Sequence, residues 1–297
     1  MSTQSDCDAN VTAPVKSPQA PAVGAWAKAW RRTLVLRWLT VAYLGILLLF
    51  MAFEDSLLFF PAKYPTGDWQ PAGLSFEDAW FNAADGTRLH GWYVPAGNPR
   101  AFVLFAHGNA GHLADRAYTA RMLAQDMGVS VLMFDYRGYG RSEGNPNEAG
   151  VLSDARAARA WLAERAKIPE RDIVLMGESI GGAVMVDLAV DGARGLILEN
   201  TFTSVPDVAA FHYPWLPVRM LIQSQFNSAE KIQRYHGPLL QCHGDFDDIV
   251  PLEFGERLFH AANEPKQFVL VHGGHHNDDR RTEWRRAIEQ FFSNLPK

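Results

Sequence analysis

Residues 173–182 read Ile-Val-Leu-Met-Gly-Glu-Ser-Ile-Gly-Gly, and the rest of the chain is organised around them. Ile173–Met176 is a short β-branched and apolar run, the pattern of a strand buried on both faces. Gly177-Glu178-Ser179-Ile180-Gly181 then fits G-x-S-x-G, and Gly182-Ala183-Val184-Met185 continues as a helix. A serine between strand and helix sits on a sharp turn, and glycines on either side let the two backbones approach. The turn lifts the Ser179 hydroxyl above the sheet edge, beside a helix N-terminus. Three fixed positions alone are a weak signal. Their weight comes from the strand before, the helix after, and the runs described next.

The same alternation extends in both directions. Phe76–Ala83 and Leu89–Val94 flank Asp85-Gly86, a hairpin signal. Ala101–Ala106 and Val129–Phe134 read as strands, separated by a helical stretch near Ala114–Met127. A helix is expected over about Glu148–Arg165. Beyond the central stretch, Leu196–Glu199, Leu239–His243 and Phe268–Val271 read as strands, with helices near Leu252–Ala262 and Asp279–Phe292. Strand and helix alternate, which predicts an α/β fold with a mostly parallel central sheet covered by helices on both faces. Residues 202–236 form an insertion carrying aromatics and prolines, too short for a separate cap and read as a short lid.

The N-terminal part is different. Residues 1–30 are assigned to a tail, its first 25 rich in Ala, Pro, Ser, Thr and Gln without periodicity. Residues 31–55 contain Leu34–Phe53, interrupted only by Arg37 and Thr40, long enough as a helix to cross a ~30 Å hydrocarbon core. A hydrophobic helix packed on the domain is the bland alternative. A cleaved signal peptide is another, since Arg31-Arg32-Thr33-Leu34 resembles a twin-arginine start, but no A-x-A-like site follows. An uncleaved transmembrane signal anchor is the best reading. Lys16, Lys28, Arg31, Arg32 and Arg37 precede the span and Glu54 and Asp55 follow it, so the positive-inside rule places the large domain, residues 56–297, on the non-cytoplasmic side. The apolar Ser56–Pro65 either rests on the membrane interface or lines the mouth of a site.

Bulk properties limit the function classes. At 297 residues, 47% hydrophobic and 21% charged, the chain can bury a sizeable core. A formal charge of −5 leaves no basic footprint for nucleic acid. Only Cys7 and Cys242 occur, one in the tail and one in an apparent core strand, so no disulfide framework is implied.

Four further runs carry chemistry. His107-Gly108-Asn109-Ala110-Gly111 follows a core strand, with His107 read as a structural hydrogen-bonder. Asp135–Gly144 reads DYRGYGRSEG, a loop shaped by glycines and an Asp–Arg pair. Gln241–Pro251 reads QCHGDFDDIVP and offers Asp245, Asp247 and Asp248 as acids, and His272–Asp278 reads HGGHHND and offers three histidines. A metal site is disfavoured, because adjacent His275 and His276 do not share a ligating face and no H-E-x-x-H element accompanies them.

The HGNAG, DYRGYG, GESIGG, HGDFDDIVP and terminal HND runs together resemble the α/β-hydrolase superfamily, over about residues 56–295. The pattern is closest to its membrane-anchored capless members, protein depalmitoylase-like serine hydrolases. The resemblance implies Ser179 as nucleophile and Asp247 as the acid, with Asp245 a turn former and Asp248 a carboxylate at a helix N-terminus. It matches His276 to the base, with His275 standing where a small residue is more common, and treats His272 as an exposed loop residue. It implies backbone N–H groups of Ile180 and Asn109 as the oxyanion hole. The implied activity is hydrolysis of carboxylic esters or thioesters through an acyl-enzyme, with no cofactor and an acyl-chain or small-molecule substrate. Serine aminopeptidase or acylglycerol lipase chemistry is the alternative, and a non-catalytic binding protein on the same fold is the reading from another class.

Overall fold

The structure is a computed structural model that describes residues 23–278 and 282–296. Cys7, Lys16 and the first 22 residues of the tail lie outside the described residues, as does Asp279, the expected start of the last helix. Two units separate, Met1–Leu48 and Leu49–Lys297.

In the first unit lies most of α1, Val23–Ala52, of which Trp26–Ala52 is long and apolar enough to cross a membrane. The helix also takes in residues 23–30, assigned above to the tail. Ala25, Ala27 and Ala29 are strong helix formers, and no breaker separates them from the apolar run.

The second unit holds the sheet. Among the described residues, eight strands form it: β1 (Glu77–Asn82), β2 (Arg88–Val94), β3 (Phe102–Ala106), β4 (Ser130–Phe134), β5 (Val174–Glu178), β6 (Gly195–Glu199), β7 (Leu239–Gly244) and β8 (Lys266–Val271). Their spatial order is β1-β2-β4-β3-β5-β6-β7-β8. β2 runs antiparallel to β1 and β4, and every other neighbouring pair is parallel. The α/β sheet expected from the alternation is therefore the one observed.

Strand residues point alternately to two cores, which explains the near-continuous apolar runs. Leu104, Leu132, Leu175 and Leu198 pack on one face beneath α4 (Glu148–Ala166) and α5 (Ile180–Ala189). Val103, Val131, Met176 and Ile197 pack on the other, with Leu123 and with Trp284 and Ile288 of α10 (Thr282–Asn294). Asn147 caps α4 by accepting the Gly150 N–H at 2.8 Å. The stretch expected as one helix near Ala114–Met127 is three joined turns, a 3₁₀ turn, α3 (Ala117–Arg121) and a closing π turn.

The DYRG run holds its loop in an unexpected way. Arg137 pairs not with Asp135 but with buried Asp154 of α4, at 2.8 Å from Nη2, and with Asp85 of the hairpin turn, at 2.8 Å from Nη1. Asp135 instead accepts the Leu113 N–H at 2.7 Å and faces His107. Neighbours in sequence diverge here because the chain turns, so each charge meets an element far along the chain. Asp154→Ala, which strands the guanidinium, should lower unfolding free energy by about 3–5 kcal/mol in denaturant titration, whereas a loss under about 1 kcal/mol would show that Asp85 alone suffices.

Candidate active site

The carboxyl ends of β3, β5, β7 and β8 converge, the usual place for a site in an open α/β sheet. At the end of β5, Ser179 adopts φ 53° and ψ −122°, a conformation costing a non-glycine residue about 1–3 kcal/mol. Its neighbours hold it there. The Ser179 N–H donates to Glu199 O at 2.9 Å, and the Thr201 hydroxyl donates to Ser179 O at 2.7 Å. A Cβ at Gly181 would collide with the Ala106 and His107 carbonyls, so only glycine lets α5 start this close to β3.

β8 ends in the loop that carries His276. Its Nε2 lies 3.0 Å from Ser179 Oγ and its Nδ1 lies 2.7 Å from Asp247 Oδ2. A carboxylate only accepts, so Nδ1 bears the proton and Nε2 is left to accept from the serine hydroxyl. His275 is exposed and sits against Phe246, with ring centroids 6.0 Å apart. Of the two adjacent histidines, the structure brings His276 to Ser179.

Asp247 is buried. Its other oxygen, Oδ1, accepts the N–H groups of Ile249 and Val250 at 3.0 and 2.7 Å, which fixes its orientation. His243 lies beside it, donating from Nε2 to Val250 O at 2.8 Å. Burial holds the His243 imidazole below its ordinary value, so it supports the acid loop as a neutral group.

One sequence assignment is corrected and one gains a partner. Asp248 is not at a helix N-terminus: α9 (Leu252–Ala261) starts after Pro251 and carries Glu253 in its first turn, while Asp248 lines the cavity beside Ser179. His272 is exposed but not idle, because Asp245 faces its Nδ1 at 3.2 Å and also accepts the Gly273 N–H. Asp245 thereby joins the acid loop to the histidine loop.

Several organising contacts are not foretold by the motif runs. Asn200, at φ 47°, donates to His276 O at 2.9 Å and accepts the Gly244 N–H at 3.0 Å, tying both loops to the end of β6. Glu178 accepts the Gly108 N–H at 3.2 Å and Arg116 Nε at 2.7 Å, pinning the loop that carries Asn109. The Asn109 carbonyl is held by the Phe60 N–H at 2.9 Å and the Tyr139 hydroxyl at 2.7 Å. Its own N–H has no acceptor among the described residues. The Ile180 N–H opens α5, where a helix leaves its first donors without internal partners. Asn109 and Ile180 line the same cavity as Ser179.

Ser179 lines two spaces. A cavity of about 510 Å³ is lined mainly by apolar side chains, including Leu57, Leu58, Phe202 and Val208. A second cleft of about 710 Å³ that also opens on Ser179 has a mixed lining, with Asp115, Arg116, Glu178, Asn200 and His276 on its walls. Among the described residues no group of three or more His, Cys, Asp or Glu side chains is placed to hold a metal ion.

Comparison with known proteins agrees with this architecture. The family model described as serine aminopeptidase, S33, matches residues 97–226. The chain is 40% identical over 255 residues to the uncharacterized protein Rv2307c of Mycobacterium tuberculosis, covering 84% of this chain and 90% of that one. It is 34% identical over 265 residues to the α/β-hydrolase domain-containing protein WAV2 of Arabidopsis thaliana, covering 79% and 84% respectively. The Pyrococcus furiosus esterase Pf2001 shares the fold at TM-score 0.65 and 19% identity, over 80% of this chain and 99% of that one. The chain belongs to the α/β-hydrolase superfamily and is of the serine-hydrolase type.

The buried histidines set an acid limit to stability. His243 and His90 are both held below the ordinary value by burial. Unfolded, each takes up a proton near pH 6.5, so below that pH the unfolded chain binds more protons and stability falls. The melting temperature should hold above about pH 6.5 and drop as the pH is lowered towards about 5. A flat profile over that interval would contradict the neutral, buried assignment.

Proposed function

We propose that this protein hydrolyses carboxylic esters or thioesters through an acyl-enzyme formed on Ser179. The observation that carries the reading is the unbroken hydrogen-bonded series Ser179 Oγ, His276 Nε2, His276 Nδ1, Asp247 Oδ2, with distances of 3.0 and 2.7 Å. Ser179 Oγ attacks the carbonyl carbon while His276 Nε2 takes its proton, and Asp247 stabilises the imidazolium. The carbonyl electron pair moves onto oxygen, where the Asn109 and Ile180 N–H groups receive it. Collapse breaks the C–O or C–S bond, and His276 returns its proton to the leaving alcohol or thiol. Water then attacks the acyl-serine, again giving a proton to His276, and the acid departs as Ser179 is reprotonated. No step needs a cofactor.

The helix Trp26–Ala52 is read as a single-pass anchor with the catalytic domain on the non-cytoplasmic side, on the strength of Lys28, Arg31, Arg32 and Arg37 preceding Glu54 and Asp55. A signal sequence passes the same length and composition test, and an N-terminal sequence beginning beyond Phe53 would establish cleavage.

The second reading is serine aminopeptidase activity, favoured by the description of the matching family model. Amide hydrolysis uses the same four roles with a nitrogen leaving group, so p-nitroanilides of amino acids tested beside p-nitrophenyl esters separate the two. Turnover of esters and not anilides is expected.

Substitutions test the assignment of roles. Ser179→Ala and His276→Ala should each lower kcat on p-nitrophenyl acetate by about 10⁴-fold or more. Asp247→Asn should cost about 10⁴-fold, because it favours the wrong tautomer. His275→Ala should change kcat by less than about threefold, since a surface side chain away from the reacting atoms contributes little. A collapse of activity in His275→Ala with His276→Ala still active would reverse the assignment.

A further inference from the structure

The apolar cavity beside Ser179 has an unusual wall. One side comes from the insertion, through Phe202, Val208, Ala209 and Leu216. The facing side comes from the segment that follows the apolar run: Phe50 and Met51 at the end of α1, then Leu57 and Leu58 of α2 (Glu54–Leu58). Phe50 and Met51 thus belong both to the span Trp26–Ala52 and to the cavity.

Three contacts close this segment onto the insertion. Phe50 meets Tyr213 edge-on, with centroids 6.2 Å apart. The Glu54 carboxylate accepts the N–H groups of Gln223, at 3.0 Å, and Ser224, at 2.7 Å. Phe59 meets Phe226 edge-on at 6.4 Å. Two are edge-on aromatic contacts and one is a carboxylate on backbone N–H groups, and together they run the length of residues 50–59. Glu148 at the start of α4 supports the same strip by accepting the next two N–H groups, those of Gln225 and Phe226, at 2.7 and 2.8 Å. Four successive backbone donors that would otherwise need water are therefore held by two carboxylates from distant elements.

We propose that this cavity holds the acyl chain of a fatty acyl ester or thioester, with residues 50–58 as the wall that sets chain-length preference and Glu54 as the residue that positions that wall. The inference rests on the acyl-enzyme reading given above and adds its substrate class. A volume of about 510 Å³ lies within the 300–1,000 Å³ usual for small-ligand pockets, and its largely apolar lining suits a hydrocarbon chain rather than a peptide or sugar. The second cleft, whose walls carry Asp115, Arg116 and Glu178, is left for the head or leaving group, so the scissile carbonyl sits at Ser179, which both spaces share. The chain-length wall is made by the same stretch that joins the domain to its apolar helix, so truncation there removes a substrate contact.

The test uses the full-length protein in lipid nanodiscs with p-nitrophenyl acetate, butyrate, octanoate, laurate and palmitate. Wild type should prefer a chain longer than butyrate. Ala209→Trp fills the cavity from the insertion, and Leu57→Asp places a charge on the opposite wall. Each should lower the laurate-to-acetate ratio of kcat/KM by about tenfold or more, the scale of losing one or two methylene contacts. Glu54→Gln should raise KM for laurate several-fold while shifting kcat less, because it loosens the wall and leaves the reacting atoms alone. An unchanged ratio in Leu57→Asp overturns the role of residues 50–58, whatever Ala209→Trp does, and a wild-type preference for acetate overturns the acyl-chain pocket itself. Labelling by a small fluorophosphonate is followed in parallel. A wild-type protein that labels at Ser179 yet shows no chain-length effect defeats this inference alone, whereas one that neither labels nor turns over any ester defeats the acyl-enzyme reading beneath it.

Discussion

Ser179 can hold its positive φ only because three backbones come together within contact distance around it. Gly177 lets the strand end approach the start of α5, and Gly181 lets that helix start against the Ala106 and His107 carbonyls. The strain at one residue is offset by the hydrogen bonds of Ser179 N–H and O to Glu199, at the end of β6, and to Thr201, two residues beyond it. Once the serine is raised in this way, the loops after β3, β7 and β8 have one place in which to meet it. Loss of any one of those close approaches would lower Ser179 back towards the sheet.

Carboxylates organise the rest of the site. Glu178, Asp245, Asp247, Glu54 and Glu148 each accept backbone N–H groups from a loop other than their own or from a tight turn. Such bonds to ionised acceptors are stronger than neutral ones, and they satisfy donors that loops near a buried site would leave unpaired. The same device serves catalysis and architecture. Asp245 and Asp247 each turn a second oxygen to an imidazole, and Asp247 differs in that its imidazole, His276, faces the serine.

The sheet was largely legible in the sequence because each central strand is buried on both faces, which leaves short apolar runs with glycine or charge at their ends. Ser179, Asp247 and His276 were legible through the runs around them, and the structure brings these three together. The remainder depended on distance along the chain. Arg137 reaches Asp154 and not its near neighbour Asp135, Asn200 spans two loops, and Glu54 meets Gln223 and Ser224. No spacing rule links residues so far apart. Pro251 delays the helix and so keeps Asp248 from its N-terminus, and sequence alone does not choose between the two roles of Ser56–Pro65 because Leu57 and Leu58 meet a surface folded from the insertion.

The most direct measurement is the intact mass of the protein, quenched in acid during turnover of a p-nitrophenyl ester, followed by mapping of the modified peptide. The expected result is a mass increase equal to one acyl group less a proton, located on the peptide containing Ser179 and absent from Ser179→Ala. An adduct on another residue, or steady turnover in Ser179→Ala, would contradict the assignment of Ser179 as the nucleophile.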